Sequence, residues 1–304
     1  MNFKLKFSCL FVAALILLST NTKAEDADSL ASMQAKIDSV YGFVSIINIE
    51  ATSIKNQNNT GTCWTFAGNS FIESELLREN KEPVDLSEMF IVRNIYPEKA
   101  DNYVRMHGAT EFGEGAETND VLRSIEKYGV MPESEYSSRP ENGYLNHAEM
   151  EGILEDMVKR VVATAPKDRT TKWKKAFNAV LDTYMGVPPK TFKVDGVEYT
   201  PLTYKEHLGI DTKQYVNITS FTHHPFYEKF VLEIPDNFSR GEFYNVKMQE
   251  MLETVKYALE NGYTVDWGAD VTEPSFESKY GLAIDPQDMK QMILDKEDIK
   301  WDSI

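Results

Sequence analysis

Only two cysteines occur in the 304 residues, Cys9 and Cys63, and they are expected to part early. Lys4 and Lys6 precede an apolar run from Phe7 to Leu18, and Thr22-Lys23-Ala24 places small residues before the cut. That is the anatomy of a secretory leader, 1–24, cleaved after Ala24. The run is too short for a comfortable membrane span. Cys9 leaves with it, so the remaining chain, Glu25 to Ile304, carries one thiol and forms no intrachain disulfide, even in an oxidising secreted or periplasmic compartment. Stability must therefore come from an apolar core, and the chain is long enough for one large domain or two lobes.

Charge narrows the partners. The net charge is −16, and the leader removes lysines but no acids. So acidic a surface argues against nucleic acid and, once the leader is gone, against anionic membranes, while it suits cationic peptides. No P-loop, dinucleotide fingerprint or HExxH string is present, so no cofactor or metal is implied.

Periodicity places helices first and strands later. From Cys63 the apolar residues Trp64, Phe66, Ala67, Phe71, Ile72, Leu76 and Leu77 recur at helical spacing, with Glu73, Glu75, Arg78 and Glu79 on the other face. Further helices are expected over Thr118–Tyr128 with Gly129 as the stop, His147–Ala163, Thr171–Met185 and Asn245–Glu260. Asp195-Gly196 joins two short strands as a hairpin, and Tyr215–Phe221, Phe230–Ile234 and Tyr263–Val271 are the other strand candidates. The class is α+β rather than a doubly wound alternation.

The string Gln57-Asn-Asn-Thr-Gly-Thr-Cys63-Trp64 carries the chemistry. Gly61-Thr62 supplies a turn and a cap, so Cys63 opens a helix where unpaired amides and the helix dipole favour a negatively charged sulfur. Gln57 lies six residues upstream and can aim its amide over that sulfur. Together with the Cys63 backbone N–H it would receive the oxyanion formed when a thiolate attacks a peptide carbonyl. Trp64 is suited to shielding such a site from water. The alternative is an inert, buried cysteine on an ordinary helix.

These residues resemble the active-site segment of papain-like cysteine proteases, through Asn56-Gln57 and Cys63-Trp64-Thr-Phe66-Ala67. Leu86-Ser87-Glu88 and Phe112-Gly113-Glu114-Gly115-Ala116, followed by Lys127-Tyr-Gly-Val-Met-Pro132, resemble later segments. The helical stretch at about 140–190, Phe221-Thr-His-His-Pro-Phe-Tyr227, Phe230–Val246 and Gly262–Asp270 place the resemblance in the bleomycin hydrolase and aminopeptidase C branch. It implies a papain-like fold with a helical lobe, an antiparallel β lobe incomplete in this chain, and a helical insertion. It also implies Cys63 as nucleophile, Gln57 as oxyanion donor, Trp64, Gly113 and Gly115 at the substrate groove, and aminopeptidase action on short peptides. Hexameric assembly is implied too, and Thr60 and Phe112 stand where secreted papains carry cysteines.

The family's catalytic His and Asn have no counterpart after His224, and the chain ends in what reads as an acidic amphipathic helix and tail. Both partners are therefore expected beyond residue 304, with little or no peptide hydrolysis by residues 1–304 alone. The alternatives are a peptide-binding protein without turnover and a thiol sensor, the latter disfavoured by the missing resolving cysteine. His107, His147 and His207 read as surface or partly buried residues. His223 and His224 read as shaping a turn or lining the cleft. As metal ligands the pair is disfavoured, because neighbours on an extended chain point opposite ways and no spaced third ligand is evident. Asn58, Asn217 and Asn237 match the glycosylation pattern, which matters only in a eukaryotic host.

Overall fold

Helix α1, Cys63–Arg78, follows the predicted start, with Thr62 at its N-cap. The computed structural model describes residues 45–269, 276–277 and 282–283. The chain divides into two units, one built on Ile49–Gly268 and one that includes Ala269–Glu297. The leader 1–24, the end of the Tyr263–Val271 strand candidate and the C-terminal acidic helix lie outside the described residues.

In the first unit α1 packs beside α2, Glu88–Arg105, and α3, Thr118–Tyr128. The closest approach is at Gly68, where an added Cβ would lie 2.6 Å from Val121 Cγ2, so only glycine admits α3 at this distance. Helix α2 begins where the Ser87 hydroxyl accepts the Phe90 N–H at 3.0 Å. It continues through Pro97. That proline removes one helical hydrogen bond, but Ile91, Ile95, Tyr96 and Ala100 are all buried around it. Helix α3 ends at Gly129, whose φ of 80° and lack of Cβ let the Pro201 carbonyl approach and accept the Val130 N–H at 3.0 Å.

Helices α4, Ala148–Ala163, and α5, Lys172–Met185, pack on α2. Phe112 stands among Tyr96, Tyr103 and Phe177 at ring separations of 6.1–6.3 Å, an aromatic cluster in place of a disulfide. Next come the hairpin β1, Phe192–Val194, and β2, Val197–Tyr199, turned by Asp195 and Gly196 at positive φ. Helix α6, Pro201–Leu208, starts on a Thr200–Thr203 capping box with Pro201 in its first turn. Strands β3, Ile218–Thr219, β4, Lys229–Val231, and β5, Glu242–Asn245, form one sheet in the order β3-β5-β4. The β4 pairing is antiparallel and the β3 pairing parallel, so this sheet is mixed rather than antiparallel throughout. Helix α7, Met248–Glu260, follows, and Tyr263–Gly268 runs on without strand pairing.

The architecture is α+β. Two helices, α2 and α6, fall outside the sequence expectation, and α1 differs from it in character. Glu73 and Glu75, expected on a polar face, are 1% and 5% exposed. Burial of a charge requires a partner, and each has one. Glu73 Oε1 accepts from Lys55 Nζ and from the Leu86 N–H, both at 2.8 Å. Glu75 accepts from Arg78 Nε at 2.8 Å and from the N–H and hydroxyl of Thr264 at 3.1 Å. In the second unit, β6, Phe276–Glu277, pairs antiparallel with β7, Leu282–Ala283.

Candidate active site

Helix α1 is enclosed along most of its length, but Cys63 and Ala67, one turn apart, are exposed on the same edge. The first turn of α1 holds no acidic residue, and no side chain caps it. The Thr65 N–H donates to Thr62 O at 3.0 Å, so the helix N-terminus is closed by its own backbone with no carboxylate in its first turn.

The loop before Cys63 is fastened from outside. Asn58 adopts a positive φ of 55° and takes the Asn56 side chain as an acceptor for its own N–H at 2.8 Å. Its Oδ1 accepts from the Leu145 N–H at 3.1 Å and from Arg139 Nη1 at 3.2 Å. The Asn59 N–H donates to Leu145 O, and the His147 N–H donates back to Asn59 O at 3.2 Å. Gln57 Nε2 donates to Thr60 O at 2.6 Å, which orients the amide and leaves its second N–H free. Thr60 is buried, its hydroxyl 2.6 Å from that of Thr62.

The Gly113–Gly115 segment forms the facing wall. The Gly61 N–H donates to Glu114 Oε2, and Trp64 Nε1 donates to Glu114 O at 3.0 Å. Trp64 is 6% exposed, so it holds this wall from within the core. A Cβ at Gly113 would meet nothing closer than Glu151 Oε1 at 3.9 Å, whereas one at Gly115 would collide with the Asp236 carboxylate. The Gly115 carbonyl accepts from Lys99 Nζ. Burial brings the Lys99 ammonium down to about 8, despite Asp236 and Asp120 pulling the other way.

Between loop and wall lies a cavity of about 380 Å³ lined by Asn58, Asn59, Thr60, Gly61, Glu114, Ala148 and Glu151. Burial, and then the nearby Glu151, push the Glu114 carboxyl above its usual range. His147, expected at or near the surface, is 5% exposed, and burial pushes its imidazole down to about 4. Its Nδ1 lies 3.7 Å from Glu114 Oε1 and has no hydrogen-bond partner, so this is a neutral ring beside a carboxylate and not an ion pair. Sequence reasoning missed Glu114, Glu151 and His147 as groups of the site. The one available signal was that Glu114 stands between Gly113 and Gly115.

The adjacent histidines shape a turn, as expected, but they do not point opposite ways and they have a third potential ligand. Residues 222–223 form that turn. His223 Nε2 and His224 Nε2 both face Glu233 Oε2, at 3.0 and 3.3 Å. Asn237 is buried, its amide donating to Leu232 O and Gly241 O, so it is no accessible glycosylation acceptor. Among the described residues no helix is long and apolar enough to cross a membrane.

A family model described as the Peptidase C1-like family matches residues 91–297, more than half of the chain, beginning after Cys63. Aminopeptidase C of Lactococcus lactis subsp. lactis (strain IL1403) is 24% identical over 302 residues, which cover 81% of this chain and 65% of that protein. Bleomycin hydrolase of Gallus gallus is 22% identical over 295 residues, covering 81% of this chain and 64% of that one. The crystal structure of pepw from Lactobacillus rhamnosis HN001 (DR20) is similar in fold, with a TM-score of 0.60 at 17% identity, covering 86% of this chain and 70% of that chain. The chain spans just under two thirds of the length of the curated relatives it matches first. It belongs to the Peptidase C1-like family, in the aminopeptidase C and bleomycin hydrolase branch of the papain-like cysteine proteases.

Proposed function

We propose that the chain carries the acylating half of a cysteine peptidase acting on short peptides, with Cys63 as nucleophile. The observation that supports this is an exposed thiol on the first residue of a mostly enclosed helix, two residues after Gly61, which lines a cavity with Glu114 and Glu151. The thiolate attacks the peptide carbonyl carbon, forming a C–S bond while the carbonyl electron pair moves to oxygen. The Cys63 backbone N–H and the free N–H of Gln57 receive that oxyanion. Gly113 leaves its part of the groove wall bare, so the substrate backbone can lie against it, whereas at Gly115 the Asp236 carboxylate takes up that room. Collapse of the intermediate expels an amine that needs a proton, and we place its donor, a histidine, outside residues 1–304. The aminopeptidase reading draws support from the relatives named aminopeptidase C and from the cavity's two carboxylates. Glu114 and Glu151 offer acceptors for a substrate ammonium, which would relieve their mutual repulsion.

The test is labelling of residues 1–304 by a peptidyl vinyl sulfone, alongside turnover of aminoacyl fluorogenic substrates. Covalent labelling lost in Cys63→Ser, without turnover, is the expected result. Absence of labelling at neutral pH overturns the nucleophile assignment. Labelling with turnover keeps the peptidase reading and overturns the placement of the proton donor.

A further inference from the structure

Away from the groove, three metal-competent side chains converge beside the β4–β5 pair. None of them lines the cavity next to Cys63. His223 Nε2 and His224 Nε2 lie 3.0 and 3.3 Å from Glu233 Oε2, and the three ligand atoms are all within 4.8 Å of one another. For Zn²⁺ at about 2.0–2.1 Å from each ligand, tetrahedral geometry puts neighbouring ligand atoms about 3.3 Å apart. The two histidine–carboxylate distances already match that edge.

The arrangement is held from below. Asn245 is fully buried, and its side chain donates to Phe221 O, His224 O and Pro225 O at 2.8–3.1 Å. Its Oδ1 accepts the Phe221 N–H at 2.8 Å, so one side chain clamps the whole turn. The His224 ring stacks on Phe230 at 4.0 Å and 21°, and the His223 ring meets Phe221 edge-on at 5.4 Å. Phe230 lies in β4, and Glu233 follows two residues after that strand. Two imidazoles and one carboxylate on a prepared framework leave a coordination position open to water.

We propose that His223, His224 and Glu233 form a binding site for a divalent transition-metal ion of the zinc class. Each imidazole gives an Nε2 lone pair to the ion, so the hydrogen that either Nε2 directs at Glu233 moves to that ring's Nδ1, or leaves to solvent where the ring carries both, as the ion enters.

The test titrates the tag-free chain with Zn²⁺ by calorimetry in a Cys63→Ser background, which removes the one cysteine thiol among the described residues. One Zn²⁺ per chain, bound in the micromolar range or tighter and not displaced by excess Mg²⁺, is expected. His223→Ala and His224→Ala should each weaken binding by at least about tenfold, and Glu233→Gln, which keeps the side-chain size, should weaken it as well. Far-UV circular dichroism of each variant checks folding. No Zn²⁺ heat in the Cys63→Ser chain overturns the proposal, as does undiminished binding in either a folded His223→Ala, His224→Ala double variant or a folded Glu233→Gln.

Discussion

Burial holds the His147 imidazole neutral, with its pKa pushed down to about 4. As the folded value lies below the ordinary 6.5, the unfolded chain takes up the proton first when pH falls. The contribution of His147 to stability is therefore complete above pH 6.5, lost between 6.5 and about 4, and constant below. The loss is at most about 3 kcal/mol. Glu117 and Glu133 act in the opposite sense, because burial pushes both carboxyls up to about 7, so the fold gains from them as pH drops. Replacing His147, the N-cap of α4 whose side chain makes no cap hydrogen bond, by Asn puts a side chain suited to capping there and removes the titration. Urea denaturation at pH 7 and pH 4.5 should show His147→Asn losing less stability on acidification than the parent chain. An equal loss would mean that the buried ring does not titrate as its surroundings require. Nothing adjacent to His147 in sequence signals this. Its environment is made by Glu114 and by the Asn59 loop, which lie far away along the chain.

At the scale of elements, the α1–α3 contact turns on Gly68 facing Val121. Gly68→Ala adds one methyl where no space exists and should cost about 1–3 kcal/mol through displaced packing. Thermal denaturation checks this, and a neutral or raised Tm would show that the two helices can separate without cost. Helices α1, α3, α4, α5 and α7 were legible from apolar spacing and from stops such as Gly129, since those signals lie within a turn or two of the chain. Helix α2 was not, because Pro97 reads as a break and only the burial of Ile91, Ile95 and Tyr96 offsets it. Helix α6 did carry its signal in Thr200-Pro201, an N-cap followed by a proline at the first helical position. Tyr263–Gly268 reads as a strand by composition but docks through Thr264 on Glu75 and Tyr263 under Arg78, with no strand partner.

Across the first unit, buried acids on α1 tie remote segments together without a disulfide. Glu73 gathers Lys55 and the Leu86 amide, and Lys55 also reaches Asp85 and Glu88. Burial alone would lower the Lys55 ammonium, but Glu88, Asp85 and Glu73 together hold it above its ordinary value. Glu75 fixes Thr264, 189 residues further along the chain. Glu75→Ala should lower the unfolding free energy by about 3 kcal/mol, the scale of breaking a buried charged pair, and speed hydrogen exchange at the Thr264 amide. Unchanged exchange there would show that the segment is held by other contacts. The sequence by itself determined the place of Cys63 at a helix start, the glycine stops and the α+β class. Capping, periodicity and turn chemistry act over a few residues and need no distant partner. Only the tertiary structure decided that Glu73 and Glu75 are buried, that His147 is neutral and that His223, His224 and Glu233 meet. The first two depend on segments brought together from elsewhere in the chain, whose closure entropy is overcome only when the core packs, and the third depends on the buried Asn245 that clamps the turn.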